Sequence, residues 1–137
     1  MGKTAFSLWS IPVLAVLLAA CTGGKETLVD PNIPPTNYKQ EILSTITNAL
    51  TDPTNVHDAF ISDPVLTQVG NEQRFTLCVR YNARDTAGVY AGSKERIAYF
   101  FGGHLNQLVE ADQGQCAKAI YKPFPELEKL CLATKCN

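Results

Sequence analysis

The chain predicts an α+β domain: one main N-terminal helix packed on an antiparallel sheet of about four strands, a short C-terminal helical piece and two disulfides. Three observations carry this expectation. Apolar residues recur at helical spacing from Tyr38 to Leu50. A two-residue alternation runs from Arg74 to Asn82, and a glycine-turned hairpin follows it. Four cysteines, Cys78, Cys116, Cys131 and Cys136, fall in the C-terminal half of a chain of 137 residues, the even number that small disulfide-stapled domains carry.

Each element has a local reason. Tyr38, Ile42, Ile46, Ala49 and Leu50 make one apolar stripe. Asn37 is placed to cap that helix, with Gln40 three residues on. Asp52-Pro53 ends the period and starts a short turn through Val56. Gly70-Asn71 turns an earlier strand, Pro64 to Val69, into the alternating one. There Phe75, Leu77, Val79 and Tyr81 share one face, and Arg74, Thr76, Cys78, Arg80 and Asn82 the other. From Arg96 to Glu110, Phe101-Gly102-Gly103-His104 forms a two-residue hairpin turn. That register pairs Phe100 with Leu105 and Ile97 with Leu108. Both hairpin faces are apolar, so it is expected to be central or covered on both sides. Pro125 opens the last helical piece, Glu126 to Leu132.

Four cysteines allow three pairings. Cys131 and Cys136 are close enough to close a local loop. That leaves Cys78 with Cys116, and the segment from Gln113 must then cross the outer, polar face of the alternating strand. A zinc site is the competing use of the four thiols, but no C-x-x-C pair occurs.

The N-terminus carries the clearest address. One cation, Lys3, precedes an apolar run from Ile11 to Leu18, and small residues then lead into Cys21. A transmembrane span needs about 20 apolar residues, more than this run has. Leu18-Ala19-Ala20-Cys21 resembles the lipobox of bacterial lipoproteins. The resemblance implies cleavage before Cys21, acylation of its thiol and attachment to a membrane through that lipid. Residues 1–20 are then a signal peptide. Thr22 stands where an Asp would imply retention at the inner membrane, so the outer membrane, facing the periplasm, is implied instead. Residues 21–36 read as the lipidated cysteine and a flexible Gly- and Pro-rich tether, and residues 37–137 as the domain. Fully extended, Thr22 to Thr36 would reach on the order of 50 Å.

The formal net charge is −1, a near-neutral balance that gives no argument for nucleic acid, which needs a basic stripe. His57 in a loop and His104 in the hairpin turn have no companion at metal-ligand spacing. No G-x-S-x-G elbow, H-E-x-x-H pair or phosphate loop occurs. Asp52, Asp58, Asp63, Asp85 and Asp112 are scattered through turns, where carboxylates serve as caps. The sequence thus predicts no enzyme, no cofactor and no metal.

The candidate surface is Arg80 to Gly92. Arg80, Asn82, Arg84 and Tyr90 combine fork donors, an amide and an aromatic at a strand end and glycine-containing loop. The competing account is structural: Tyr90 folds back on the sheet and Arg84 pairs with Asp85 or Glu95. The order L-x-D-P at Leu50 to Pro53, C-x-x-x-N-A-R at Cys78 to Arg84 and G-x-Y-x-G at Gly88 to Gly92 is similar to a group of small exported bacterial domains. Val79 and Val89 stand where that group often has glycine. The resemblance implies the architecture and transfers no activity. The functional expectation is a non-enzymatic, membrane-tethered binding or assembly module with an envelope protein as partner. The alternative is a periplasmic inhibitor of a lytic enzyme or protease that inserts the Arg84–Gly92 loop.

Overall fold

A computed structural model describes residues 2, 23, 24 and 27–130. The leader, Cys21, Cys131, Cys136 and the bridge expected between the last two lie outside the described residues. The elements are α1 (Tyr38–Ala49), β1 (His57–Ile61), β2 (Val65–Val69), β3 (Glu72–Asn82), β4 (Lys94–Phe101), β5 (His104–Glu110), β6 (Lys122–Pro123) and α2 (Pro125–Glu128). The class is α+β with one antiparallel sheet, but the sheet has six strands rather than four. Its order is β5-β4-β3-β1-β6, with β2 also on β3.

Strand β3 is the axis of the fold. Strand β4 pairs along one edge of it. Strands β1 and β2 share the other edge, pairing at Ile61–Val79 and Val65–Thr76. Between them the chain kinks at Ser62-Asp63-Pro64. Ser62 keeps the ladder closed: its N–H donates to the Cys78 carbonyl at 2.9 Å, and its hydroxyl oxygen accepts from the Cys78 N–H at 2.9 Å. A side chain thus replaces the carbonyl that the kink turns away.

The inner face of the sheet is the core. Leu77, Val79 and Tyr81 are buried there, as their alternation predicts, and Phe75 packs beside them. Ile42 and Ile46 cover them from α1, and Leu127 from α2. Helix α2 is shorter than expected and starts at Pro125, a residue suited to a first helical turn. Asn37 stands at the N-cap of α1 without a side-chain hydrogen bond. Glu41 is used differently from a cap as well, since its carboxylate accepts from the Leu105 N–H and meets His104 Nδ1 at 3.0 Å, tying the helix to β5.

Three details depart from the sequence reading. Strand β1 occupies residues read as loop. Its Asp58 has φ 53° and the register shifts between His57 and Phe60, so a bulge breaks the alternation that would have revealed it. The hairpin pairs Phe100 with Leu105 as expected, but Asn106 bulges out and Ile97 meets Val109 instead of Leu108. Strand β5 is an edge strand, not a central one. Asp52 does turn the chain after α1, accepting from the Thr54 N–H at 3.0 Å, and residues 53–56 form no helical turn.

The outer face is covered by chain without helix or strand, from Asp112 to Tyr121. A disulfide joins Cys78 to Cys116 with a Cα–Cα distance of 5.9 Å, so the segment after the hairpin crosses this face as expected. The bridge removes two thiolates from the competing zinc reading.

Candidate functional site

The two ends of the sheet differ. At one end the β4–β5 turn meets the segment read as a flexible tether. The Gly102 N–H donates to the Pro31 carbonyl at 3.2 Å. A Cβ on Gly102 would lie 2.7 Å from Val29 Cγ1, and one on Gly103 3.1 Å from Ile33 Cγ2. The turn therefore needs both glycines for positive φ and Gly102 also for this contact. Residues 29–34 are a strap laid on the turn, and Pro35 after them is buried. At the opposite end, β3 and β4 are joined by the 83–93 loop. Strand β4, Lys94–Phe101, separates the two ends by about 26 Å at roughly 3.3 Å per residue.

The loop is highly ordered by its own side chains. Asp85 Oδ1 accepts from the Ala87 N–H at 2.8 Å and the Val89 N–H at 3.0 Å, the Asx arrangement its sequence suggests. The Asp85 N–H donates to the Val89 carbonyl at 2.9 Å, and Arg84 and Tyr90 form a bridge. The loop is thus a miniature hairpin. Asn82 Oδ1 closes its base by accepting from the Gly92 N–H at 3.1 Å.

The four predicted residues do not form one patch. Arg84 and Tyr90 stack, with the guanidinium carbon 5.2 Å from the ring centroid. The Tyr90 hydroxyl donates to the Asn55 carbonyl at 2.6 Å, and its ring lies 4.8 Å from that of His57. Arg84 Nη1 stands 4.0 Å from Asp52 Oδ2, not beside Asp85 or Glu95. Asn82 is part of the loop's base. Arg80 lies on the outer face, its guanidinium held between the Phe60 and Tyr121 rings at 5.0 and 4.8 Å. Tyr121 in turn donates to Glu95 at 2.8 Å. Burial, reinforced by that carboxylate, pushes the Tyr121 phenol far above its ordinary range.

Sequence reasoning missed what lies beneath the loop. A pocket of about 170 Å³ is lined by Arg84, Lys94 and Arg96, together with Asp85, Tyr81 and Leu50. Three cations and one carboxylate line it: Asp85 Oδ1 accepts from two loop amides, and a second carboxylate, Asp52, stands 4.0 Å from Arg84, which leaves a net positive lining. The Nε of Arg84 and of Arg96 is buried without a hydrogen-bond partner among the described residues. Arg96 also lies over the Tyr81 ring at 5.3 Å. The pocket suits an anionic group of carboxylate or phosphate size, which guanidinium donors receive in fork geometry. Alternation assigned Arg96 only a strand position, and Lys94 sat in a stretch with no pattern. Neither residue type alone signalled a site. The loop tip, Thr86 to Val89, is exposed and presents Val89.

Among the described residues no group of His, Cys, Asp and Glu is arranged to hold a metal ion, and no helix is long and apolar enough to cross a membrane. Compared with protein-family models, curated proteins and solved structures, the chain shows no match.

Proposed function

We propose that this chain is a non-enzymatic cell-envelope lipoprotein, anchored through Cys21 at the outer membrane and acting in the periplasm as a tethered binding or assembly module. The observation that carries the reading is the basic pocket of Arg84, Lys94 and Arg96 under an ordered loop, at the end of the sheet away from the strap. Only seven residues, 22–28, separate Cys21 from Val29, a span of at most about 28 Å over the eight backbone steps. A lipid on Cys21 would hold the β4–β5 turn toward the membrane and present the loop to the periplasm. The partner's acidic side chain enters the basic pocket, while Tyr90 and Val89 give apolar contact. Arginine and tyrosine are common anchors of such contacts.

Lys94 is the best probe, since it is exposed and has no ion-pair partner among the described residues. Capture from crosslinked envelopes is expected to fall with Lys94→Glu at an unchanged melting temperature, and to persist with Gln107→Glu on β5. Equal capture by both variants contradicts the reading. Cys21→Ser is expected to abolish acyl labelling, and labelling that survives contradicts the anchor.

The second reading is a periplasmic inhibitor of a lytic enzyme or protease. The Asp85-braced loop favours it, because a loop ordered beforehand loses less entropy on entering a cleft. The same capture distinguishes the two: a soluble hydrolase supports inhibition, a membrane protein supports assembly.

A further inference from the structure

The outer face holds a second cavity, far from the loop pocket in character. Its volume is about 660 Å³, within the range of small-molecule sites. The sheet supplies its floor through Thr76, Cys78 and Ile97, with Val65 from β2. The crossing segment supplies the roof through Ala119 and Ile120.

We infer that this cavity binds a single-chain amphiphile with a carboxylate head, a free fatty acid. The interior has little polar capacity left to offer. The Thr67 and Thr76 hydroxyls bond each other at 2.9 Å. The Ser62 hydroxyl receives the Cys78 N–H, and the Cys78 sulfur is in the disulfide. A ligand rich in hydrogen-bonding groups would lose its water there without replacement, whereas a methylene chain loses nothing. Val65 and Ile120, 57% and 80% exposed, continue the apolar surface outward.

The charged lining residues choose the head group. Lys122 pairs with Asp63, which also receives the Tyr38 hydroxyl at 3.4 Å. Lys118 has no ion-pair partner among the described residues. The set Lys118, Lys122 and Asp63 therefore leaves one positive charge beside an apolar cavity. A carboxylate on an alkyl chain satisfies both features. A cationic head meets like charge.

The test uses the full chain in its own envelopes and a photoactivatable dodecanoate with a diazirine near the chain end. Labelled peptides are mapped by mass spectrometry. Label is expected within 62–67 and 114–122, displaced by excess dodecanoate and not by dodecyltrimethylammonium. Lys118→Glu is expected to weaken the displacement about five-fold, the effect of losing roughly 1 kcal/mol from an exposed ion pair. Ala119→Trp fills the cavity from an irregular segment and is expected to abolish labelling there, as is Ala117→Trp, with the melting temperature showing that each variant is folded. Label spread over the whole domain, or retained in both tryptophan variants, overturns the site. Equal displacement by the cationic amphiphile overturns the carboxylate assignment.

Discussion

The two faces of the sheet are closed by different physics. The inner face is covered by helices whose apolar stripes match it. Among the described residues, all eight of the largest fully buried side chains, Phe100, Ile42, Ile46 and Leu127 included, belong to that core. The outer face is covered by an irregular crossing segment. It is pinned at three places: Gln115 Nε2 on the Tyr99 hydroxyl at 3.3 Å, the Cys78–Cys116 bridge, and Tyr121 over Arg80. Between the pins lies the 660 Å³ cavity. Regular elements can hold a face by area alone. A segment with little area to bury needs a covalent pin, and it leaves room for a ligand.

The largest effect that separates the faces is expected from Phe100→Ala. This side chain is fully buried in the inner core, and its truncation should cost about 3–5 kcal/mol by urea unfolding. Ile120→Ala on the outer segment, 80% exposed, should stay within about 0.5 kcal/mol. Similar losses for the two would erase the distinction.

Next in size is the bridge. Cys78→Ala with Cys116→Ala opens a sequence separation of 38 residues and should cost about 3–4 kcal/mol in the chain-entropy account. A loss below about 1 kcal/mol, read from the same unfolding curves, would mean that the noncovalent pins suffice.

A smaller effect appears at high pH. Burial raises the phenol of Tyr81 on the inner face, with Arg96 opposing. Burial and then Glu95 raise that of Tyr121 on the outer face. A phenol with a raised folded value favours the protonated folded state. Its contribution is fully present below the ordinary value of 10.0 and is lost as pH rises beyond it. Stability should therefore decline above about pH 10. Tyr121→Phe should reduce the decline more than Tyr81→Phe, since the Tyr121 shift has carboxylate help and the Tyr81 shift has cationic opposition. The reverse order, in melts from pH 9 to 11, would place the more perturbed phenol on the wrong face.

The inner face was legible in the sequence because periodicity encodes it. The stripe of Ile42 and Ile46, the alternation of Leu77, Val79 and Tyr81, and the glycine turn at Gly102-Gly103 each announce a backbone and a buried side. Alternation put Cys78 on the outer face, and its pairing with Cys116 followed by elimination from a local Cys131–Cys136 loop, which lies outside the described residues. What was hidden depends on single contacts across the chain. Strand β1 is broken by the bulge at Asp58. The two residues of β6 are held in place by the Phe124 N–H on the Ala59 carbonyl at 2.8 Å, while the Ala59 N–H is taken by Glu128 at 3.0 Å. The strap at Val29 to Pro34 has no period, so composition read it as free. Of the residues the sequence singled out, Arg84 lines the loop pocket and Tyr90 stacks on Arg84. The sequence could not show that Tyr90 is tied to Asn55, or that Lys94 and Arg96 turn toward the same pocket.

The most direct test of the two-face account is peptide-resolved hydrogen exchange on the full chain, comparing the natural protein with the Cys78→Ala, Cys116→Ala variant. The account predicts that amides from Asp112 to Tyr121 lose protection first and most, while those of Leu77, Val79 and Ala98 to Phe100 remain protected. Simultaneous loss of protection across both groups, or an outer segment that keeps its protection without the bridge, would contradict it.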